Sequence, residues 1–269
     1  NSNSLQLEID NVSNANTLNV YINGVPVVVE PVKNKSVISK NVKLNFGLNN
    51  ISIVSRLKSG IESDPIMFET KNIAPKKESK VYYAGIGVSK YLDSSMNLKY
   101  ADKDVRRLSE VLSNKFKGRI IIDTLLNQNV TLENVKSIKA RLKETSIDDT
   151  VIISFSGHGL IDKDDRFYFA AHNIDFSNPQ LNGISYEVIQ DLLSDIPARK
   201  KLLLLDACHS GEIDLTQDLK ATVFANKNVT ENILEGAKGS KVVKGNRGLN
   251  SSFELMQSLF YDMDRGNGA

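Results

Sequence analysis

The chain has 269 residues, a net charge of +2, 41% hydrophobic and 25% charged residues, and one cysteine. This is enough apolar material for one large or two smaller cores, and a charge too near neutral for nucleic acid or an anionic membrane to be the default partner. No apolar run approaches the ~18–20 residues of a bilayer span, and a lone cysteine cannot form an internal disulfide, which fits a reducing, cytoplasmic compartment.

The opening stretch "NSNSLQLEID" has neither the basic nor the apolar part of a secretory leader. From there to residue 72 short runs alternate apolar and polar residues: "LQLEI" (5–9), "LNVYI" (18–22), "VPVVVE" (25–30), "VKLNF" (42–46), "ISIVSRL" (51–57) and "IMFET" (66–70). Period two predicts strands, and Asn23-Gly24 predicts a tight hairpin. Strands at this spacing predict a small all-β, Ig-like sandwich over residues 1–72. Nothing in it resembles a reactive constellation.

Residues 73–80, polar and carrying Pro75, read as a linker. The pattern then changes. "VYYAGIGV" (81–88), "GRIIIDTLL" (118–126), "DTVIISFSG" (149–157) and "KKLLLLDAC" (200–208) are buried strands. Between them, residues 97–116, 131–145 and 183–196 carry apolar stripes at helical spacing, and Thr131 supplies an N-cap. Strand–helix alternation predicts an α/β domain over 81–269, with a mostly parallel sheet flanked by helices. Residues 221–248, rich in Asn, Lys and Gly, read as a long mobile loop. A further helix is predicted over 249–264.

Two strands end in unusual chemistry. One runs into "SFSGHG" with His158, the next into "LLDACHSG" with Cys208, 50 residues later. In open α/β sheets ligand sites lie at the carboxyl ends of strands. A thiol needs a base to become a nucleophile near neutral pH, and an imidazole can take that proton and return it to a leaving amine. Alone, Cys208 reads as a small buried hydrophobe; the "SGHG" segment at this spacing turns the reading to catalysis. "GIGVSK" (85–90) lacks the third glycine of a dinucleotide fingerprint. One Cys and three His lack paired zinc-ligand spacing, so no metal ligand is assigned. His209, beside the thiol, and His172 read as structural.

Together "SGHG" and "DACHSG" resemble the caspase-like clan of cysteine peptidases (peptidase C14-like), over roughly residues 80–265. The match is closer to metacaspases and bacterial caspase homologues than to animal caspases, which carry Gln-Ala-Cys-Arg-Gly at the nucleophile. The resemblance implies a catalytic His158–Cys208 pair and an oxyanion hole from the backbone N–H groups of Gly159 and Cys208. It also implies an acidic substrate pocket of Asp206, Ser156 and Asp104, with Asp102 as the alternative to Asp104. Such a pocket takes a polypeptide with Arg or Lys before the scissile bond, the guanidinium matching paired carboxylates best. Read without the resemblance, Asp206 serves equally as a helix or loop cap and Asp104 as an exposed helix residue.

Lys227, Lys238, Lys241, Lys244 and Arg247 fall in the segment where relatives are processed; otherwise they are a solvated charged loop. No cofactor is required. Calcium, which some metacaspases need, would look to Asp162, Asp164 and Asp165, but these lack the EF-hand glycine and final glutamate. The sandwich is the expected docking module for a protein partner. In the family, two further sheet strands follow the point where this chain ends. The rival reading is a catalytically silent caspase-like scaffold.

Overall fold

The computed structural model describes residues 3–10, 15–32, 36–164 and 166–207, together with the backbone of 240–244. The chain divides into two compact units, Asn1–Ser79 and Lys80–Ala269.

The first unit holds β1 (Ser4–Ile9), β2 (Thr17–Ile22), β3 (Val25–Pro31), β4 (Ile38–Lys43), β5 (Gly47–Arg56) and β6 (Ile66–Asn72). All pair antiparallel, in a four-stranded sheet of order β3-β2-β5-β6 and a two-stranded sheet β1-β4. Asn23 and Gly24 both have positive φ (53° and 77°), the backbone that a twist-matched two-residue hairpin requires. Alternate residues of the two sheets share one core, with Leu7 and Val42 meeting Leu18, Val20, Ile22, Ile51 and Ile53. Strand β4 lies at 38–43 rather than 42–46 because the backbone of Asn45 is taken by a side chain. Asn49 accepts from the Asn45 N–H and donates to its carbonyl, both at 2.9 Å, in place of ladder bonds.

The second unit continues with β7 (Val81–Gly87), α1 (Ala101–Lys115), β8 (Ile120–Leu126), α2 (Leu132–Leu142), β9 (Thr150–Ser156), β10 (Gly159–Ile161), β11 (Phe167–Phe169), β12 (Ile184–Ser185), α3 (Tyr186–Leu193), β13 (Lys200–Asp206) and β14 (Ser240–Lys244). Strands β14-β13-β9-β7-β8 form one parallel sheet in that order. Its residues alternate between two faces, as the pleat demands. Tyr83, Ile152, Leu202 and Leu204 pack with Leu108 and Leu112 of α1. Ala84, Ile86, Ile153, Phe155 and Leu203 pack with Val135 and Ile138 of α2 and Ile189 and Leu192 of α3. This is the α/β arrangement, helices on both faces, that the sequence predicts.

Three expectations are corrected. Residues 240–244, read as part of a long loop, form β14 beside β13. The helix expected from residue 97 starts at Ala101, because Ser89 Oγ accepts the Asp102 N–H at 2.9 Å and Asn97 Oδ1 is spent on the Tyr91 N–H at 2.8 Å. The helix expected over 183–196 is shorter, Tyr186–Leu193, since Ile184 and Ser185 pair with Phe169 and Tyr168. The small antiparallel sheet β10-β11-β12 follows His158 directly.

Gly87 and Gly85 let α1 lie close on the sheet. A Cβ at Gly87 would come 2.9 Å from the Ala101 carbonyl and 3.1 Å from the Asp102 Cα, both backbone atoms. Gly87→Ala is therefore expected to push the start of α1 off the sheet and to cost about 1–3 kcal/mol. Urea denaturation checks this; an unchanged midpoint would show that the helix does not depend on that approach.

Candidate active site

The sheet register places the polar residues. Asp206 pairs with Ser156 and Ser156 with Gly87, so these three stand in one row across β13, β9 and β7 at their carboxyl ends. Odd–even parity puts the Ser156 and Asp206 side chains on the α1 face, with Ser154 one pleat below, where its Oγ meets the buried Tyr83 hydroxyl at 2.7 Å. Ser156 Oγ donates to Asp206 Oδ2 at a long 3.5 Å. Beyond the row, the Gly157 N–H donates to the Asp206 carbonyl at 3.2 Å, which keeps the two strand ends together as they leave the sheet.

Carboxylates on this face carry a cost. Burial raises the Asp206 pKa above the ordinary carboxylate value, against the Ser156 hydrogen bond. Asp104, on the first turns of α1, is raised by burial and then by the Asp206 charge, with Arg107 opposing. Asp102 behaves differently. Burial acts to raise it, but hydrogen bonds from Ser89 and Asn127 and the Arg106 charge outweigh that and hold it low. The Asn127 amide reaches its carboxylate at 3.3 Å. Asp102 is thus tied into the loop, while Asp104 feels Asp206.

His158 follows Ser156 by two residues and is buried, with 8% of its surface exposed. Its Nε2 lies 2.9 Å from the Met96 carbonyl. A carbonyl only accepts, so Nε2 carries the proton and Nδ1 of the neutral ring is the basic nitrogen. Burial lowers the His158 pKa below 6.5, with the Met96 bond opposing. Tyr91 lies beside the imidazole at 5.2 Å between centroids, and Phe176 meets it edge-on at 5.8 Å. These three neighbours, Met96, Tyr91 and Phe176, escaped the sequence reading. A backbone carbonyl has no residue signature, and the two aromatics lie in loops without periodicity.

Gly159 begins β10. The Ala170 N–H donates to the His158 carbonyl at 2.9 Å, which makes the adjacent Gly159–Phe169 pair a non-hydrogen-bonded one. The Gly159 N–H therefore points away from β11. A Cβ at Gly159 would strike the Phe167 ring at 2.6 Å and stand 3.5 Å from the Cβ of Ala207. The last described residue of the "DACHSG" segment thus lies next to the residue after His158.

Cys208 and His209 lie outside the described residues, as do Lys227, Lys238, Arg247 and Asp165. Lys241 and Lys244 belong to β14, their backbone paired with Leu202 and Leu205. His172 fastens a loop: its Nδ1 donates to the Lys90 carbonyl at 2.6 Å. Asp162 accepts from the Asp164 and Arg166 N–H groups at 2.8 and 3.0 Å and from the Gln180 amide at 2.9 Å, closing the β10–β11 turn. Asp164 pairs with Arg166 at 3.0 Å. Among the described residues no group of three or more His, Cys, Asp or Glu is placed to hold a metal ion. None of the described helices is long and apolar enough to cross a membrane.

A family model for the caspase domain of peptidase family C14 matches residues 85–254, a span that contains both the "SGHG" and "DACHSG" segments. The chain belongs to the caspase-domain family. No curated protein matches it significantly. Among solved structures it is similar to a Geobacter sulfurreducens protein, at 17% identity and a TM-score of 0.39, over 49% of this chain and 51% of that one. It is also similar to the YxiM protein of Bacillus subtilis, at 15% identity and a TM-score of 0.32, over 94% of this chain and 67% of that one. The chain spans about half the length of the Geobacter structure. The matched span includes His158 and Cys208.

In the fold His158 favours its neutral ring, so its contribution to stability is full above about pH 6.5 and is lost as pH falls through the lower folded value. Its ring resonances should titrate with a midpoint below 6.5 in a Cys208→Ala protein, followed by NMR. A midpoint above 6.5 would mean that the ring is solvated or paired with an anion.

Proposed function

We propose that this chain is a cysteine endopeptidase that cleaves after Arg or Lys by acyl transfer through Cys208. The observation that carries the reading is the parallel register of β13 on β9, which sets Asp206 beside Ser156 and Ala207 beside Gly159. Residue 208 follows Ala207 by one peptide link of ~3.8 Å.

The chemistry runs through this chain's own groups. His158 Nδ1 takes the thiol proton of Cys208, and the sulfur attacks the scissile carbonyl. The oxyanion of the tetrahedral intermediate accepts from the N–H groups of Gly159 and Cys208, each donor lowering the barrier by ~3–4 kcal/mol. Nδ1 then gives its proton to the departing amine, and the thioester remains. Water, deprotonated by the same nitrogen, hydrolyses the thioester and regenerates the thiol. Through these steps Nε2–H stays on the Met96 carbonyl, which holds the ring and shares the charge of the imidazolium.

Specificity follows from Asp104 and Asp206. Both are raised by burial, and Asp104 is raised further by its like-charged neighbour. A substrate cation between them removes that repulsion, whereas a neutral side chain leaves it in place. Ser156 adds a hydroxyl on the same wall. The N-terminal unit would supply the docking surface for a protein partner, and the site of action would be cytoplasmic, with calcium not required for the acyl transfer itself.

Fluorogenic peptides ending in Arg or Lys should be hydrolysed, and those ending in Asp or Leu should not. Cys208→Ala should abolish turnover, and Asp206→Asn should lower kcat/KM for Arg by roughly 10- to 100-fold, the worth of one charge-assisted hydrogen bond. Equal turnover by the Cys208→Ala protein would remove the assignment. Self-cleavage is expected after Lys227, Lys238 or Arg247 rather than within β14, since a paired strand cannot enter a cleft. Mapping new termini in incubated protein tests this, and active enzyme with an intact segment would refute it.

A further inference from the structure

We propose that Tyr91 is the positioning residue of the imidazole: its hydroxyl holds the His158 backbone and its ring sets the imidazole plane, so that Nδ1 is held in one direction. The proposal rests on the peptidase reading above.

In an unbroken β10–β11 ladder the His158 N–H would donate to the carbonyl of Ala170, the residue directly opposite. It donates instead to the Tyr91 hydroxyl at 3.0 Å, while the Ala170 N–H still donates to the His158 carbonyl at 2.9 Å. One ladder bond has been exchanged for a phenol, at the one residue whose ring direction matters for proton transfer. The same phenol ring lies 5.2 Å from the imidazole, tilted by 36°, and Phe176 closes edge-on against both at 5.4 and 5.8 Å.

Tyr91 can impose an orientation because it is itself held. It is 4% exposed. Its N–H donates to Asn97 Oδ1 at 2.8 Å. The two preceding N–H groups, of Ser89 and Lys90, donate to Asn127 Oδ1 at 2.9 and 3.0 Å, and the Lys90 carbonyl accepts from His172 at 2.6 Å. The Tyr91 N–H···Asn97 bond also draws the loop together next to Met96, whose carbonyl takes Nε2–H. One loop therefore grips the histidine twice, at its peptide through Tyr91 and at its ring through Met96. Burial pushes the phenol pKa up, so the hydroxyl stays protonated and uncharged across the working range.

Proton transfer is steeply sensitive to geometry, and a displacement of ~1 Å can cost ~100-fold in rate. The test compares Tyr91→Phe, which keeps the ring and loses the hydroxyl, with Tyr91→Leu, which loses both, in the full chain against an Arg-terminated fluorogenic peptide. Tyr91→Phe should lower kcat about 10-fold and Tyr91→Leu about 100-fold, with KM within about two-fold of the wild-type value. A partial rescue by Phe relative to Leu separates positioning from mere filling of space. In the Cys208→Ala background, imidazole nitrogen shifts should report the Nε2-protonated tautomer with Tyr91 present and a mixture in Tyr91→Leu. This readout needs no turnover, so it decides the proposal even where the peptidase reading fails. Wild-type kcat in both variants, a loss confined to KM, or an unchanged tautomer in Tyr91→Leu overturns it. Should Tyr91→Leu not fold, Tyr91→Phe decides alone, because it preserves shape.

Discussion

The parallel pairing of β13 with β9, continued onto β7, is the constraint from which the rest of the site follows. Seven residue pairs hold β13 to β9 without a bulge, from Lys200–Thr150 to Asp206–Ser156. A slip of one residue would turn Asp206 from the α1 face to the face packed by α2 and α3 and would bury a carboxylate among leucines. The leucine run of β13 opposes such a slip, because both its faces are already filled, Leu202 and Leu204 on one side and Leu203 and Leu205 on the other. The apolar centre of a strand thus serves its polar end: the core sets the register, and the register sets which side chains meet at the carboxyl edge.

At that edge two electrostatic environments lie side by side. Burial favours the neutral ring of His158, with Nε2–H on a carbonyl that can only accept, which leaves Nδ1 as the basic nitrogen. Asp206 and Asp104 are carboxyl groups that burial makes reluctant to ionise, and the Asp206 charge adds to the effect at Asp104. The carboxyl pair does not serve stability, since buried carboxylates of like charge weigh against folding above their ordinary pKa. Under the function proposed above, a cation and an acyl group are the missing partners of the two environments. The glycines nearby follow the same logic: Gly87 admits the start of α1, which carries Asp104, and Gly159 admits the Phe167 ring of the hairpin.

The loop between β7 and α1 shows how a site is braced from outside its own strands. Asn127, at the end of β8 with a positive φ of 51°, takes the N–H groups of Ser89 and Lys90. Ser89 in turn takes the first-turn N–H of Asp102, so the cap of α1 lies 13 residues before the residue it serves. His172 clips the same loop from the other side. Side chains that look unremarkable in a linear reading carry the position of both Asp104 and the neighbours of His158.

Composition and periodicity by themselves determined the division near residue 75, the strands of the first unit, β7, β8, β9 and β13 of the second and the helices on both faces, because period two and the helical stripe are local properties of which residues must be buried. The "SGHG" and "DACHSG" segments marked His158 and Cys208 as candidates, because strand ends followed by glycine and a reactive side chain are visible without coordinates. Tertiary structure alone decided that Asp104 rather than Asp102 feels Asp206, that residues 240–244 join the sheet, and that Met96 and Tyr91 grip the imidazole. Each of these depends on a backbone group or a partner far away in the chain. Such contacts leave no trace in local spacing, and a carbonyl is the same whichever residue bears it.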